Sequence, residues 1–176
     1  MRAISAAVDI AATPRRVWAV LADLDAYPQW NPFIRSASGQ LAEGATLTLR
    51  LVPAQGRAMT FRPKVLAAQP GVLLRWIGRL VLPGIFDGTH QFALDDLGGH
   101  TRLTQSETFR GVLVPFTGKI ITQTEADFRA LNQALKKRAE RVTHPRPHRS
   151  RGTRTADPGR SAAAGQLPMN RERRAR

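Results

Sequence analysis

The chain has 176 residues, 42% of them apolar, which is enough for one globular domain with a sizeable core. It contains no cysteine, which excludes disulfides, thiolate metal sites and cysteine nucleophiles, and no apolar run approaches the ~20 residues that cross a bilayer. The formal charge of +14 is uneven: residues 143–176 hold nine Arg against one Asp and one Glu, half of the whole excess.

The opening MRAISAAVDIAA places Arg2 before an apolar stretch, as a leader does, but Asp9 interrupts it and no adequate apolar run follows. It reads instead as a strand over residues 3–10, with Ile4, Ala6, Val8 and Ile10 on one face. Thr13 and Pro14 supply an N-cap and a first-turn proline, so a helix starts there, with Val17, Trp18, Leu21 and Leu24 as its apolar stripe. Asp25–Trp30 suits a second short helix or turn, kept brief by Pro28 and Pro32.

Strands follow. Thr46–Leu51 turns Leu47, Leu49 and Leu51 to one side. Met59–Ala67 sets Met59, Phe61 and Val65 against Thr60, Arg62 and Lys64. Val72–Leu80 sets Leu74 and Trp76 against Arg75 and Arg79. Ile85–Leu97 and His100–Arg110 form a hairpin. From Thr117 to Val142 the period becomes helical, with Ile121, Thr124, Phe128, Leu131, Leu135 and Val142 on one stripe. Beyond residue 142 the chain is rich in Arg, Pro, Gly and Ser and poor in large apolar residues, so a domain over residues 1–142 and a disordered basic tail over 143–176 are expected. The order of elements is α+β: an antiparallel sheet, with the long helix packed across its concave face.

The hairpin carries the sharpest local inference. Gly98-Gly99 accepts the positive φ of a two-residue turn, so Phe92 faces Gln105 and His90 faces Glu107. Phe86, His90, Phe92 and Leu94 then share the inner face with Leu103, Gln105, Glu107 and Phe109. An imidazole opposite a carboxylate on an apolar face is either a polar anchor for a ligand or a pair that stiffens the sheet or sits at its wet mouth. A turn one residue longer would shift the pairing.

At this point the sequence resembles a known family. TPRRVWAVLADLDAYPQWNPF, LLRWIGRL, FDGTHQFALDDLGGHTRLTQSETFRGVLVP and the closing amphipathic helix are similar to the polyketide cyclase/dehydrase branch of the START-like (SRPBCC) superfamily, over residues 3–142. The resemblance implies a helix-grip fold, a curved antiparallel sheet around a long C-terminal helix with a deep apolar cavity between them. It implies a lipid, polyketide or similar small apolar molecule as partner, and in a minority of members cyclisation or dehydration. Trp30 and Pro32 would close one end of the cavity, and His90 and Glu107 would lie on cavity-facing strands.

Trp30, Phe61, Trp76, Phe86, Phe92, Phe109 and Phe128, with His90, Gln105 and Glu107, are therefore the candidate ligand-binding residues, although each aromatic could equally be ordinary core. The apolar segment Gly111–Phe116 is either an entrance to the pocket or packing beneath the helix. Arg75 and Arg79, with Arg62 and Lys64, form either an anion-binding patch or a solvated sheet face. No metal site is expected, since the prolines of His144-Pro-Arg-Pro-His148 prevent the helix that would bring its two histidines together. No nucleotide or nucleophile-elbow motif is present, and no cofactor is called for.

Three functions compete. The first is a binder of a small apolar molecule, cytoplasmic and without integral membrane association. The second is a cyclase or dehydratase with His90 as general base or acid and Glu107 orienting it. The third is an interaction protein whose tail, residues 143–176, meets nucleic acid or another acidic surface through phosphate contacts. That tail has no aromatic residue for base stacking.

Overall fold

The computed structural model describes residues 1–52, 57–80, 84–116 and 118–141. The N-terminal strand β1 (Arg2–Ile10) leads into helix α1 (Pro14–Ala22). Thr13 caps α1 by accepting from the Arg16 amide, and Pro14 opens its first turn. A 3-10 turn (Leu24–Ala26) and the short helix α2 (Tyr27–Trp30) follow, and strand β2 (Ile34–Ser38) comes next. Strands β3 (Thr48–Leu51), β4 (Met59–Phe61), β5 (Lys64–Gln69), β6 (Leu73–Leu80), β7 (Phe86–Asp96) and β8 (Thr101–Arg110) precede the long helix α3 (Gly118–Glu140). The α+β architecture is the expected one, a curved antiparallel sheet with the long helix laid over it.

Five strands form the main sheet in the order β1-β8-β7-β6-β5, and three form a smaller one, β2-β3-β4. The two meet at Val65, whose amide donates to Ala45 and whose carbonyl accepts from Gly44, beside a bridge between Thr46 and Lys64. Two expectations change here. The single strand over 59–67 is two strands in different sheets, because Pro63 between them has no amide to give a ladder. Strand β2 was not expected at all. A bulge between Ile34 and Ser36 puts its two buried residues, Ile34 and Ala37, three positions apart, so the sequence shows no alternation.

The core lies between the sheets and the helices. Ile10, Val17, Leu21, Leu47, Leu49, Leu74, Leu103, Leu131 and Leu135 are almost wholly buried in one cluster. Helix α3 also closes the free edge of β1 with three residues spaced four apart. The Asn132 amide nitrogen donates to the Ala6 carbonyl (3.1 Å), Lys136 donates to the Asp9 carbonyl (2.6 Å), and the Glu140 carboxylate accepts from the Ala11 amide (2.7 Å). One helix face thus satisfies an edge that would otherwise template another strand.

Of the predicted stripe on α3, Phe128, Leu131 and Leu135 are buried, and Ala139 joins them. Val142 and the basic tail lie outside the described residues.

Candidate functional site

The β7–β8 hairpin turns through Gly98 and Gly99, at φ 76° and 96°, with the Asp96 carboxylate accepting from both glycine amides. That turn fixes the predicted register: Phe92 pairs with Gln105, and His90 with Glu107. The row through His90 crosses the sheet as Val65, Trp76, His90, Glu107 and Ile4.

His90 sits in an aromatic box. Trp76 stacks on its ring at 4.9 Å and 5°, Phe128 of α3 meets it edge-on at 4.9 Å, and Phe92 lies 4.8 Å away. Both ring nitrogens face protein groups. Nε2 is 3.2 Å from the Gln105 amide nitrogen, and Nδ1 is 3.5 Å from Oε2 of Glu107. With the Gln105 amide donating, Nε2 accepts and the ring proton stands on Nδ1, toward the carboxylate. Gln105 is fully buried, and its Oε1 has no partner among the described residues.

The other oxygen of Glu107 occupies a space that a glycine creates. Gly78 and Gly88 pair across β6 and β7, and beside the His90 row the space their missing side chains leave is filled by Phe61 and Glu107. A Cβ on Gly88 would collide with Oε1 of Glu107, and one on Gly78 would collide with the ring of Phe61. The side chains of His90 and Glu107 retain 10% and 15% of their exposure, so the pair is sheltered without being sealed. The arrangement offers hydrogen-bond acceptors, Glu107 and the Oε1 of Gln105, within an apolar surround.

The structure thus brings together Trp76, His90, Phe92, Gln105, Glu107 and Phe128. Phe61 is half-buried against the same core and covers Gly78. Phe86 and Phe109 share the inner face but form a separate cluster with Ile4 and Val114, their rings 5.5 Å apart. Trp30 is half-buried, edge-on to Tyr27 at 5.1 Å, and its indole N–H is buried without a partner among the described residues.

The YPQWNPF segment does structural work that sequence reasoning missed. The Tyr27 hydroxyl donates to the Leu21 carbonyl at 2.8 Å, and burial pushes that phenol's pKa upward. Buried Asn31 accepts from the Phe33 and Ile34 amides and turns the chain into β2. The two glycines were equally invisible, because their role depends on the side chains that lean over them.

Segment 111–116 divides. Val114 is buried in the Phe109 cluster, while Val112 and Leu113 point to solvent. On the outer face Arg75 is held by Gln91 at 3.0 Å, and Arg79 stands 3.9 Å from Asp87. Arg62 lies outside the strands. A separate cleft of about 420 Å³, lined by residues that include Trp18, Asp23, Leu41 and Pro70, contains none of the candidate residues. No cluster of metal-ligating side chains occurs among the described residues, and no helix among them is long and apolar enough to cross a membrane.

The family profile for polyketide cyclase / dehydrase and lipid transport matches residues 1–140. Among solved structures, a START superfamily protein from Mycobacterium smegmatis is 24% identical, with a TM-score of 0.65 over 80% of this chain and 99% of that one. The Zhui aromatase/cyclase from Streptomyces sp. R1128 is 18% identical, with a TM-score of 0.66 over 80% and 94%. Truncated norcoclaurine synthase from Thalictrum flavum is 14% identical, with a TM-score of 0.63 over 80% and 94%. At these identities the likeness is one of fold. A comparison with curated proteins gave no match.

Proposed function

This chain belongs to the polyketide cyclase / dehydrase and lipid transport family, and from that premise we propose that its domain carries a small apolar ligand with at least one hydroxyl group. The ligand lies between the main sheet and α3 and is anchored on the polar row of His90, Gln105 and Glu107. The observation that carries this reading is the Glu107 carboxylate, held 3.5 Å from His90 with its second oxygen over the bare backbone of Gly88. A carboxylate and an unpartnered amide oxygen in an apolar surround favour a ligand that donates hydrogen bonds over one that only accepts them.

Extraction of the purified protein with organic solvent, followed by mass spectrometry, tests the reading. A stoichiometric hydroxylated apolar compound in wild-type protein, depleted in Glu107→Leu, is expected. An empty extract from wild-type protein contradicts a resident ligand.

A second reading, a cyclase or dehydratase, is favoured by the same oxygen. Both nitrogens of His90 are engaged by protein groups, so the roles expected from the sequence exchange. Glu107 would take a proton from the ligand, and His90 would position the carboxylate. Conversion of the extracted compound by wild-type protein, lost in Glu107→Gln with binding retained, distinguishes this enzyme from a carrier.

A further inference from the structure

The end of the main sheet where β6 and β8 finish carries a feature that ligand binding does not use. Val112 is 71% exposed and Leu113 45%. These two are held outward. The Val112 amide donates to the Gly84 carbonyl and the Leu113 amide to that of Ile85, both at 3.2 Å, while Val114 is anchored in the Phe109 cluster. A pinned apolar tip of this kind has no need to order itself before it enters an apolar phase.

Its surroundings are basic. The register sets Arg2 opposite Phe109, so that Arg2 and Arg110 stand at the same end of the sheet, and Arg79 flanks them from β6. Arg2 and Arg110 are exposed and carry no ion pair among the described residues. Asp87 stands opposite Arg110 in the register, where one carboxylate oxygen accepts from the Gly84 amide and the other lies 3.9 Å from Arg79. Exposed carboxylates gather at the opposite end of the sheet, at Asp95 and Asp96 beside the hairpin turn. The end of the main sheet at Val112 and Leu113 is therefore basic and apolar, whereas the hairpin-turn end carries Asp95, Asp96 and Asp9 beside Arg102.

We propose that the tip at Val112 and Leu113, with Arg2, Arg79 and Arg110 around it, docks on an anionic lipid bilayer. The aliphatic side chains enter the acyl boundary and the guanidinium groups meet lipid phosphates. Charge alone would suit any polyanion, but projecting aliphatic side chains have no counterpart on a nucleic-acid backbone, so the observations favour the membrane.

The chain has no cysteine, so Val112→Cys in the full-length protein takes a single environment-sensitive dye. Leu97→Cys, an exposed apolar position beside the hairpin turn at the other end, serves as control. With phosphatidylcholine–phosphatidylglycerol vesicles the dye at 112 shifts to the blue, while the dye at 97 and vesicles of phosphatidylcholine alone give no shift. Val112→Asp/Leu113→Asp, at exposed positions that leave the core intact, lowers vesicle partitioning by about tenfold or more.

Partitioning that the aspartate pair leaves unchanged would assign the binding to the basic tail and overturn the proposal. Equal shifts at 112 and 97, binding to duplex DNA as strong as to vesicles with the dye at 112 unshifted, or no vesicle binding at all would overturn it as well.

Discussion

His90 on β7 and Glu107 on β8 face each other across the sheet, Nδ1 to Oε2 at 3.5 Å, and neither has another ion-pair partner among the described residues. The imidazole is gripped by Trp76, Phe92 and Phe128, so in the proposed reading it is the carboxylate, in the room that Gly88 leaves it, that meets the ligand.

Gly88→Ala tests that room. The position has no positive φ, so the backbone tolerates alanine and the effect comes from the new methyl group meeting Oε1 of Glu107. Displacing the carboxylate is expected to cost roughly 1–3 kcal/mol of stability and to abolish ligand retention. A variant that keeps both its melting temperature and its ligand would contradict the assignment.

His90→Ala and Glu107→Gln are expected to separate stability from binding. Removing the imidazole opens a hole between Trp76 and Phe128 and leaves a sheltered carboxylate alone, at a cost of about 2–4 kcal/mol. Glu107→Gln keeps the shape and should cost roughly 1 kcal/mol or less while weakening the anchor. Denaturant titration reads the first effect and ligand content the second. Equal destabilisation by the two variants would mark the pair as purely structural.

Asn132→Ala removes the donor that α3 gives to the Ala6 carbonyl. A loss of roughly 1–3 kcal/mol is expected, together with faster hydrogen exchange along β1. Exchange that quickens evenly over the whole sheet would mean that α3 does not guard this edge.

Glu140 makes the same edge sensitive to acid. Its hydrogen bond with Lys136 and the Ala11 amide hold its carboxyl pKa below the ordinary value. The stability this contributes is present above the unfolded carboxylate value and is lost as pH falls through the lower folded one. Asp9 has the same sign through Arg102, whereas burial raises the pKa of Asp127 and works the other way. Glu140→Gln should therefore melt below wild type at neutral pH, with the gap closing as pH falls through the lowered folded value. A gap that stays constant with pH would remove the carboxylate from this role.

The candidate site was legible where chemistry is local. Two adjacent glycines dictated a turn, the turn dictated a register, and the register set His90 against Glu107 and Phe92 against Gln105. The caps at Thr13 and Pro14 and the stripe Phe128, Leu131, Leu135 were readable for the same reason.

What stayed hidden depends on distant partners. The bulge in β2 erased its alternation, and the inward side chains of Phe61 and Val65 disguised the break at Pro63. Gly88 matters only because Glu107 leans across from the next strand. Asn132, Lys136 and Glu140 recur every four residues, yet nothing in the helix itself says that a strand edge lies beneath them.

The central claim, an apolar ligand anchored through a hydroxyl at Glu107, is tested most directly by calorimetric titration with 2-naphthol and with 2-methoxynaphthalene. The two share one apolar body and differ in the donor. Wild-type protein should bind the naphthol more tightly by about tenfold, one good hydrogen bond to a charged acceptor, and Glu107→Leu should erase the difference. Equal affinity of wild-type protein for the two compounds would contradict the anchor.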